Sequence, residues 1–377
     1  VSFFNDASSE VLARALPLYL TVTLGASPAF VGWVEGIAES LAIVLKGFSG
    51  WLSDRMRSRK GLVLGGYGLS VAARAVYLLS LGAGLVGLAR VGDRIGKGLR
   101  GAPRDAMVAD AAAAGLSGRD FGLTRFLDTL GAMAGLGLAL VLGVGEGPMD
   151  ARAFRMCALL ALPLGLAALG LLLFAVPKVP RTITAGRRLG WRVPRPIRGY
   201  LVIVLLFALA NSSDAFLVLK AREAGFSFRE TLLLFLVFNG LAAALAVPAG
   251  RLSDRWGRVP FLATGWIVYA VAYATMGSAE NRLVFALALL GYGAFYGLTE
   301  GVEKALLADL LPPEERGTGF GAFQSALGFG AFAASPLMGF LMASYGGRTA
   351  FLLSSGLALG AAVLLVGWSL VRRYTSK

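Results

Sequence analysis

The sequence predicts an all-α integral membrane fold: twelve transmembrane helices arranged as two pseudo-symmetric six-helix bundles. Three observations carry that reading. The chain of 377 residues is 56% hydrophobic and only 15% charged, with a mean hydropathy of +0.70, whereas a soluble chain of this size needs a more polar surface. Mainly apolar segments follow one another along it, each close to the roughly 20 residues that cross a bilayer core as helix. A sequence pattern also recurs after about 200 residues, dividing the chain into equivalent halves.

The apolar segments run over 1–24, 29–52, 61–82, 84–108, 120–143, 153–176, 199–221, 229–250, 259–278, 283–308, 318–343 and 349–371. Most connections are short and rich in Gly, Pro, Ser or charge, as turns should be. The exception is 177–198, which carries Lys178, Arg181, Arg187, Arg188, Arg192, Arg195 and Arg198 and no acid. It is the expected linker between an N-terminal bundle, 1–176, and a C-terminal bundle, 199–377. The chain begins at Val1 inside an apolar stretch, so further native residues are expected before it.

Orientation follows from Lys and Arg. The loops 53–60, 109–119, 177–198, 251–258 and 309–317 and the tail after 371 hold 19 of them. The opposite loops and helix ends hold 7: Arg152, Arg155, Lys220, Arg222, Arg229, Arg282 and Arg348. Basic loops stay inside, so both termini are expected in the cytoplasm of a bacterial inner membrane. The net charge of +14 is therefore a topological signal, not a nucleic-acid face. The chain has no His, and its single Cys157 lies in an apolar run; a disulfide is excluded, and no metal cluster is expected.

The repeat is specific. Gly50-Trp-Leu-Ser-Asp54-Arg55 recurs as Gly250-Arg-Leu-Ser-Asp254-Arg255, an offset of 200. Ala109-Asp110, Gly118 and Phe121-Gly122 recur as Ala308-Asp309, Gly317 and Phe320-Gly321, an offset of 199. Parallel halves related by an axis along the membrane normal are a known transporter plan.

Gly50-x-x-x-Asp54-Arg55 with Arg57, Arg59 and Lys60 resembles the loop signature of the major facilitator superfamily, with Arg57 where a Gly is usual. The copy Gly250-x-x-x-Asp254-Arg255-Trp256-Gly257-Arg258 matches it more closely, and Leu311-Pro312-Pro313-Glu314-Glu315-Arg316-Gly317 is similar to another loop of the family. The resemblance covers essentially the whole chain. It implies alternating access around one site, usually in a monomer. It also implies a conformational latch at Gly50, Asp54, Arg55 and Arg59 and at Gly250, Asp254, Arg255 and Arg258. Arg90 stands where proton-linked members often carry Arg. Gly131 to Gly137 is similar to the antiporter signature, with Leu136 in place of the usual Pro. Close packing by small residues accounts for those glycines equally well.

Ionisable residues at bilayer depth are costly and usually face a cavity or a partner. Asp6, Glu10 and Arg14 follow at four-residue steps on the first segment and share a face. Asp6, Glu10, Asp128 and Asp214 are the candidate proton carriers, with Arg14 as an ion-pair alternative for the first two. Glu35 and Glu39 repeat the spacing on the second segment, where solvated or structural roles are expected. Arg90, Arg94, Lys97 and Arg104 form a basic stripe. Such a stripe suits an anionic ligand, or it neutralises Asp6, Glu10, Asp105 and Asp128; Asp93 is placed to pair with Lys97. The seventh segment carries Asn211, Ser212, Ser213 and Asp214 in an apolar run. The tenth carries Tyr292, Tyr296, Glu300 and Glu303 on roughly one face, with Lys304 able to pair with Glu300. Arg90, Arg94, Lys97, Asn211, Tyr292, Tyr296, Glu300 and Glu303 are the substrate-side candidates.

Gly96-x-Gly98-x-x-Gly101 fits a dinucleotide pattern but lies within an apolar helix with no preceding strand. No nucleophile motif or metal-ligand cluster supports an enzyme. The expected activity is proton-coupled export of a small molecule, with no cofactor beyond the proton gradient. The alternatives are proton-coupled import of an anionic metabolite and the flipping of a lipid or amphiphile.

Overall fold

The computed structural model describes residues 1–54, 56, 58–79, 82–111, 117–177, 193–311 and 315–375, the side chains of 54, 109–111, 117–123, 125, 316–318 and 373–375 excepted. Among them the regular elements are helical throughout: α1 (Ser2–Leu18), continued by a π turn at Tyr19–Thr23, α2 (Pro28–Asp54), α3 (Lys60–Tyr77), α4 (Ala83–Ala111), α5 (Ser117–Val141), α6 (Ala151–Phe174), a 3₁₀ turn at Arg195–Ile197, α7 (Arg198–Ala210), α8 (Ala215–Glu223), α9 (Phe228–Trp256), α10 (Arg258–Ser278), α11 (Arg282–Leu310) and α12 (Arg316–Thr375).

Among the described residues, seven helical stretches are long and apolar enough to cross a membrane. The remaining predicted segments also fall on helix, but α1 and α4 carry the charges that lower their hydropathy. Large apolar side chains point outward, Phe174 at 86% and Val141 at 84% exposure. Such a surface suits lipid as solvent, where helices can satisfy their backbone polar groups internally. The 60 residues of α12 would run to about 90 Å as one helix. Gly346 divides them, at φ 82°, a backbone region open to Gly at little cost.

Local chemistry sets the ends. Asp150 caps α6, its carboxylate accepting from the Ala153 amide at 2.7 Å. Lys60 reaches the far end of the same helix and donates to the carbonyls of Leu173 (2.8 Å) and Val176 (2.5 Å), satisfying acceptors that a helix C-terminus leaves open. Pro17 lacks the N–H of a regular turn, and the π turn follows two residues later, with Thr21 donating to the Pro17 carbonyl at 2.8 Å.

The chain divides into two compact units. Unit 1 comprises Val1–Ser27, Trp33–Arg188 and Ser227–Leu233; unit 2 comprises Pro28–Gly32, Leu189–Phe226 and Leu234–Lys377. In unit 1, α1 packs on α5 and α6, and α3 on α4 and α6. In unit 2, α12 packs on α7 and α10, and α10 on α11. The basic linker at 178–192 lies outside the described residues.

Packing repeats with the sequence. A Cβ on Gly98 of α4 would sit 2.7 Å from the Ala42 carbonyl and 2.8 Å from Leu45 Cβ of α2. On Gly297 of α11 it would sit 2.7 Å from both the Ala242 carbonyl and Leu245 Cβ of α9. Each residue of this crossing has its counterpart at an offset of 199 or 200. Gly66 against Arg100 and Gly265 against Thr299 repeat the seam between α3 and α4 and between α10 and α11. Small residues let these helices approach to backbone contact.

Candidate functional site

Unit 1 holds a buried ionic cluster. Glu35 of α2, 2% exposed, accepts two hydrogen bonds from Arg90 of α4, 7% exposed, at 2.9 and 3.0 Å. One turn along both helices, Arg94 pairs with Glu39 at 2.8 Å. The equal four-residue spacing of two acids and two arginines makes a two-rung ladder between α2 and α4. Arg90 and Arg94 of the predicted anion stripe thus meet protein carboxylates. Glu35, expected nearer solvent, is a buried partner.

Asp93 also differs from its expected pairing. Its partner is Arg74 of α3, at 3.4 Å, rather than Lys97. Arg74, 1% exposed, was not among the sequence candidates, yet it ties α1 to α3: it donates to Ser8 (2.8 Å), Asn5 (3.1 Å) and Ser9 (2.7 Å). Ser8 in turn donates to the Ala161 carbonyl of α6. Ser9, Leu12, Arg74, Tyr77, Arg90 and Asp93 line a small cleft beside this cluster.

The other charges of unit 1 are placed as follows. Glu10 accepts from Arg14 at 2.6 and 3.0 Å. Asp6 accepts from the Asn5 side chain at 3.1 Å. Arg104 lies 3.0 Å from Asp105 and 3.6 Å from Asp128. Arg100, buried, donates to Ser70 at 2.6 Å and stacks over Tyr67. Lys97 is exposed near the middle of α4, with no ion-pair partner among the described residues.

Unit 2 answers the same framework with aromatic and hydroxyl groups. At the helical offset of 199, Arg74, Asp93 and Lys97 correspond to Tyr273, Tyr292 and Tyr296. The seventh segment is broken: α7 stops at Ala210, α8 starts at Ala215, and Asn211 leaves helical geometry with ψ 81°. The 13 residues of α7 span about 20 Å, so the break falls well inside a hydrocarbon layer about 30 Å thick. Tyr292 donates to Asp214 at 3.0 Å and lies 3.4 Å from the Tyr296 hydroxyl. Tyr269 donates to the Ala210 carbonyl at 2.7 Å. Trp266 donates to Glu303 at 3.3 Å, and Glu300 pairs with Lys304 at 3.5 Å. Rings of Phe207, Phe238, Tyr269 and Phe295 pack around Tyr292 and its neighbours. Asp214, Asn211, Tyr296, Glu300 and Glu303 are half-buried, leaving a face a ligand can reach. Such a face, apolar with a few convergent polar groups, is the usual composition of a small-molecule site.

Of the latch residues, Arg258, at the start of α10, is bound to Asp254 (2.5 Å), Asp309 (3.2 Å) and Ser253 (2.7 Å), joining the last turn of α9 to the end of α11. Arg59 is buried. Gly50 and Gly250 stand one turn before their loops, each accepting at 2.8 Å from Ser53 and Ser253. Arg55, Arg57, Pro312 and Pro313 and the side chains of Asp54, Asp110, Arg125 and Arg316 lie outside the described residues.

A duplicated, all-helical membrane chain with charges and hydroxyls buried at mid-helix is the architecture of a solute carrier. A sequence profile described as Major Facilitator Superfamily matches residues 1–219 and 200–377. An uncharacterised MFS-type transporter of Methanocaldococcus jannaschii is 32% identical over 380 residues, covering 97% of this chain and 92% of that one. A multi-drug resistance efflux pump, PmrA, of Streptococcus pneumoniae is 26% identical over 129 residues, 34% of this chain and 32% of the pump. Among solved structures, the nucleoside transporter NupG superposes with a TM-score of 0.79 at 14% identity, over 97% of this chain and 96% of that one. The chain belongs to the Major Facilitator Superfamily and is a multi-pass membrane transporter.

Proposed function

We propose that the chain is a twelve-span secondary transporter of the bacterial inner membrane, with both termini cytoplasmic and two six-helix halves, that exports a small molecule by alternating access against inward proton flow. The observation that carries this reading is Asp214: a carboxylate at the break between α7 and α8, hydrogen-bonded by Tyr292 and flanked by the half-buried Tyr296 and Glu300. Intramembrane carboxylates mark proton relays, and that role is assigned here to Asp214. Tyrosine faces beside carboxylates suit a lipophilic cation. The partial similarity to a multi-drug resistance efflux pump supports export. In unit 1, Arg90 and Arg94 serve as scaffold through Glu35 and Glu39, and the loops around Asp54 and Asp254 serve as latches.

The test is transport into proteoliposomes under an imposed pH gradient, with a fluorescent lipophilic cation as cargo. Asp214→Asn is expected to abolish gradient-driven uptake while the protein melts within a few degrees of wild type. Undiminished uptake by that variant refutes the assignment. One observation favours a second reading, import of an anionic metabolite: Lys97 is exposed at mid-helix without an ion pair among the described residues. Under that reading Lys97→Gln raises the KM for an anionic cargo at least tenfold, and cations do not compete.

A further inference from the structure

The break between α7 and α8 rearranges a set of oxygen atoms. In a continuous helix the amides of Ser213 and Ala215 would bond the carbonyls of Leu209 and Asn211. Here the Ser213 amide donates to Ser335 Oγ at 3.1 Å, and the Ala215 amide to Ser213 Oγ at 3.3 Å. The two carbonyls thereby lose their helical donors. Side chains add to the set. Asn211 Oδ1, Ser212 Oγ and the Tyr273 hydroxyl are buried with no well-formed hydrogen bond, Ser212 at 6% exposure and Tyr273 at 0%. The Tyr273 hydroxyl lies beside those of Ser212, Tyr269 and Tyr292, within the field of the Asp214 carboxylate.

A buried polar atom without a good hydrogen bond costs roughly 1–3 kcal/mol, and three such atoms on and beside the 211–214 break call for a common partner. The group is rich in lone pairs. Carbonyl and amide oxygens and the carboxylate only accept, and hydroxyls can turn their protons aside. Oxygen-only sets of this kind bind hard cations. The charge sets the valence: one carboxylate balances one positive charge. The neighbouring acids are engaged elsewhere, Glu300 with Lys304 and Glu303 with Trp266. A divalent ion would leave a net charge at membrane depth, which is costly.

We infer that the α7–α8 break binds a sodium ion through the Asp214 carboxylate, Asn211 Oδ1, Ser212 Oγ and a released backbone carbonyl, with Tyr273 closing the site. This rests on Asp214 being the working carboxylate of the transport cycle, but not on the coupling ion being a proton.

The experiment is thermal melting of the full chain in lipid nanodiscs in sodium, potassium or choline chloride at equal ionic strength. A ligand that binds only the folded state raises the melting temperature with the logarithm of its concentration. The expected result is a rise specific to sodium. It is lost in Asp214→Asn and moved to about tenfold higher sodium in Ser212→Ala and Tyr273→Phe. The last two remove hydroxyls that make only weak contacts with neighbouring hydroxyls, so they are expected to melt close to wild type in choline. Equal melting of the wild type in sodium and choline, or an unchanged sodium response in Asp214→Asn and Ser212→Ala, overturns the inference. The two proposals fail separately. Loss of pH-driven transport in Asp214→Asn with no sodium response removes the sodium site alone. A sodium response with undiminished transport in that variant removes the transport assignment alone.

Discussion

Removing the Glu35 carboxylate tests the ionic ladder of unit 1. Arg90 donates two hydrogen bonds of 2.9 and 3.0 Å to Glu35, and both residues are almost fully buried. Glu35→Ala leaves a buried guanidinium without the carboxylate it pairs with. Breaking one member of a buried pair costs about 3–5 kcal/mol, a large share of the roughly 5–15 kcal/mol that holds a folded domain together. The second rung is different: the side chain of Glu39 is 29% exposed in its pair with Arg94. Pairs open to solvent are worth about 0–1 kcal/mol, and Glu39→Ala should fall nearer that range. The assay is unfolding of the purified variants in mixed micelles of increasing SDS content, followed by tryptophan fluorescence. Glu35→Ala is expected to unfold at clearly lower SDS than Glu39→Ala. Replacing Glu35 and Arg90 together by Leu should recover most of the loss, since no buried charge is then left behind. If Glu35→Ala is no worse than Glu39→Ala, the pair is not the buried anchor its geometry implies.

Three further expectations follow from the same reasoning. Gly98→Ala and Gly297→Ala, each placing a methyl about 2.7 Å from a facing carbonyl, should destabilise by a similar amount, about 1–3 kcal/mol for an overpacked seam; the two melting curves, measured side by side, check the equality. Arg74→Met strips Asp93 of its partner and should lower stability by about 3–5 kcal/mol, whereas Tyr273→Phe at the matching position should leave melting in choline unchanged. Lys60→Met removes the donor to two carbonyls at the end of α6 and should cost about 1–2 kcal/mol, read as faster amide exchange in the last turn of α6.

Much of the helical plan was legible because lipid imposes a blunt rule on composition. A run such as 153–176 has one reading, and the recurrence of Gly-x-Leu-Ser-Asp-Arg points to two equivalent halves. Partners were harder, because a single sequence displays neighbours along a helix and hides those across it. Asp93 was matched with Lys97 four residues away, yet its counterion is Arg74, 19 residues earlier on the adjacent helix. A lone Arg in the apolar run 61–82 was a usable signal for that pairing. So was the shared spacing of Glu35 and Glu39 with Arg90 and Arg94, which fits two rungs better than a clamp for a foreign anion. The polarity of 211–214 was visible, but the break in the helix was not: no Gly or Pro marks it. It depends instead on Ser335 of α12 supplying an acceptor for the Ser213 amide.

The matching crossings at Gly98 and Gly297 mean that each half of the chain serves as a control for the other. Duplication preserved where the helices touch and let the lining residues drift, so Arg74 and Tyr273, or Lys97 and Tyr296, occupy equivalent stations with opposite chemistry. A substitution that damages both stations alike reports on the frame they share. One that matters in a single half reports on what that half has become. Comparing stations within one molecule thus separates architecture from specialisation without any second protein for reference.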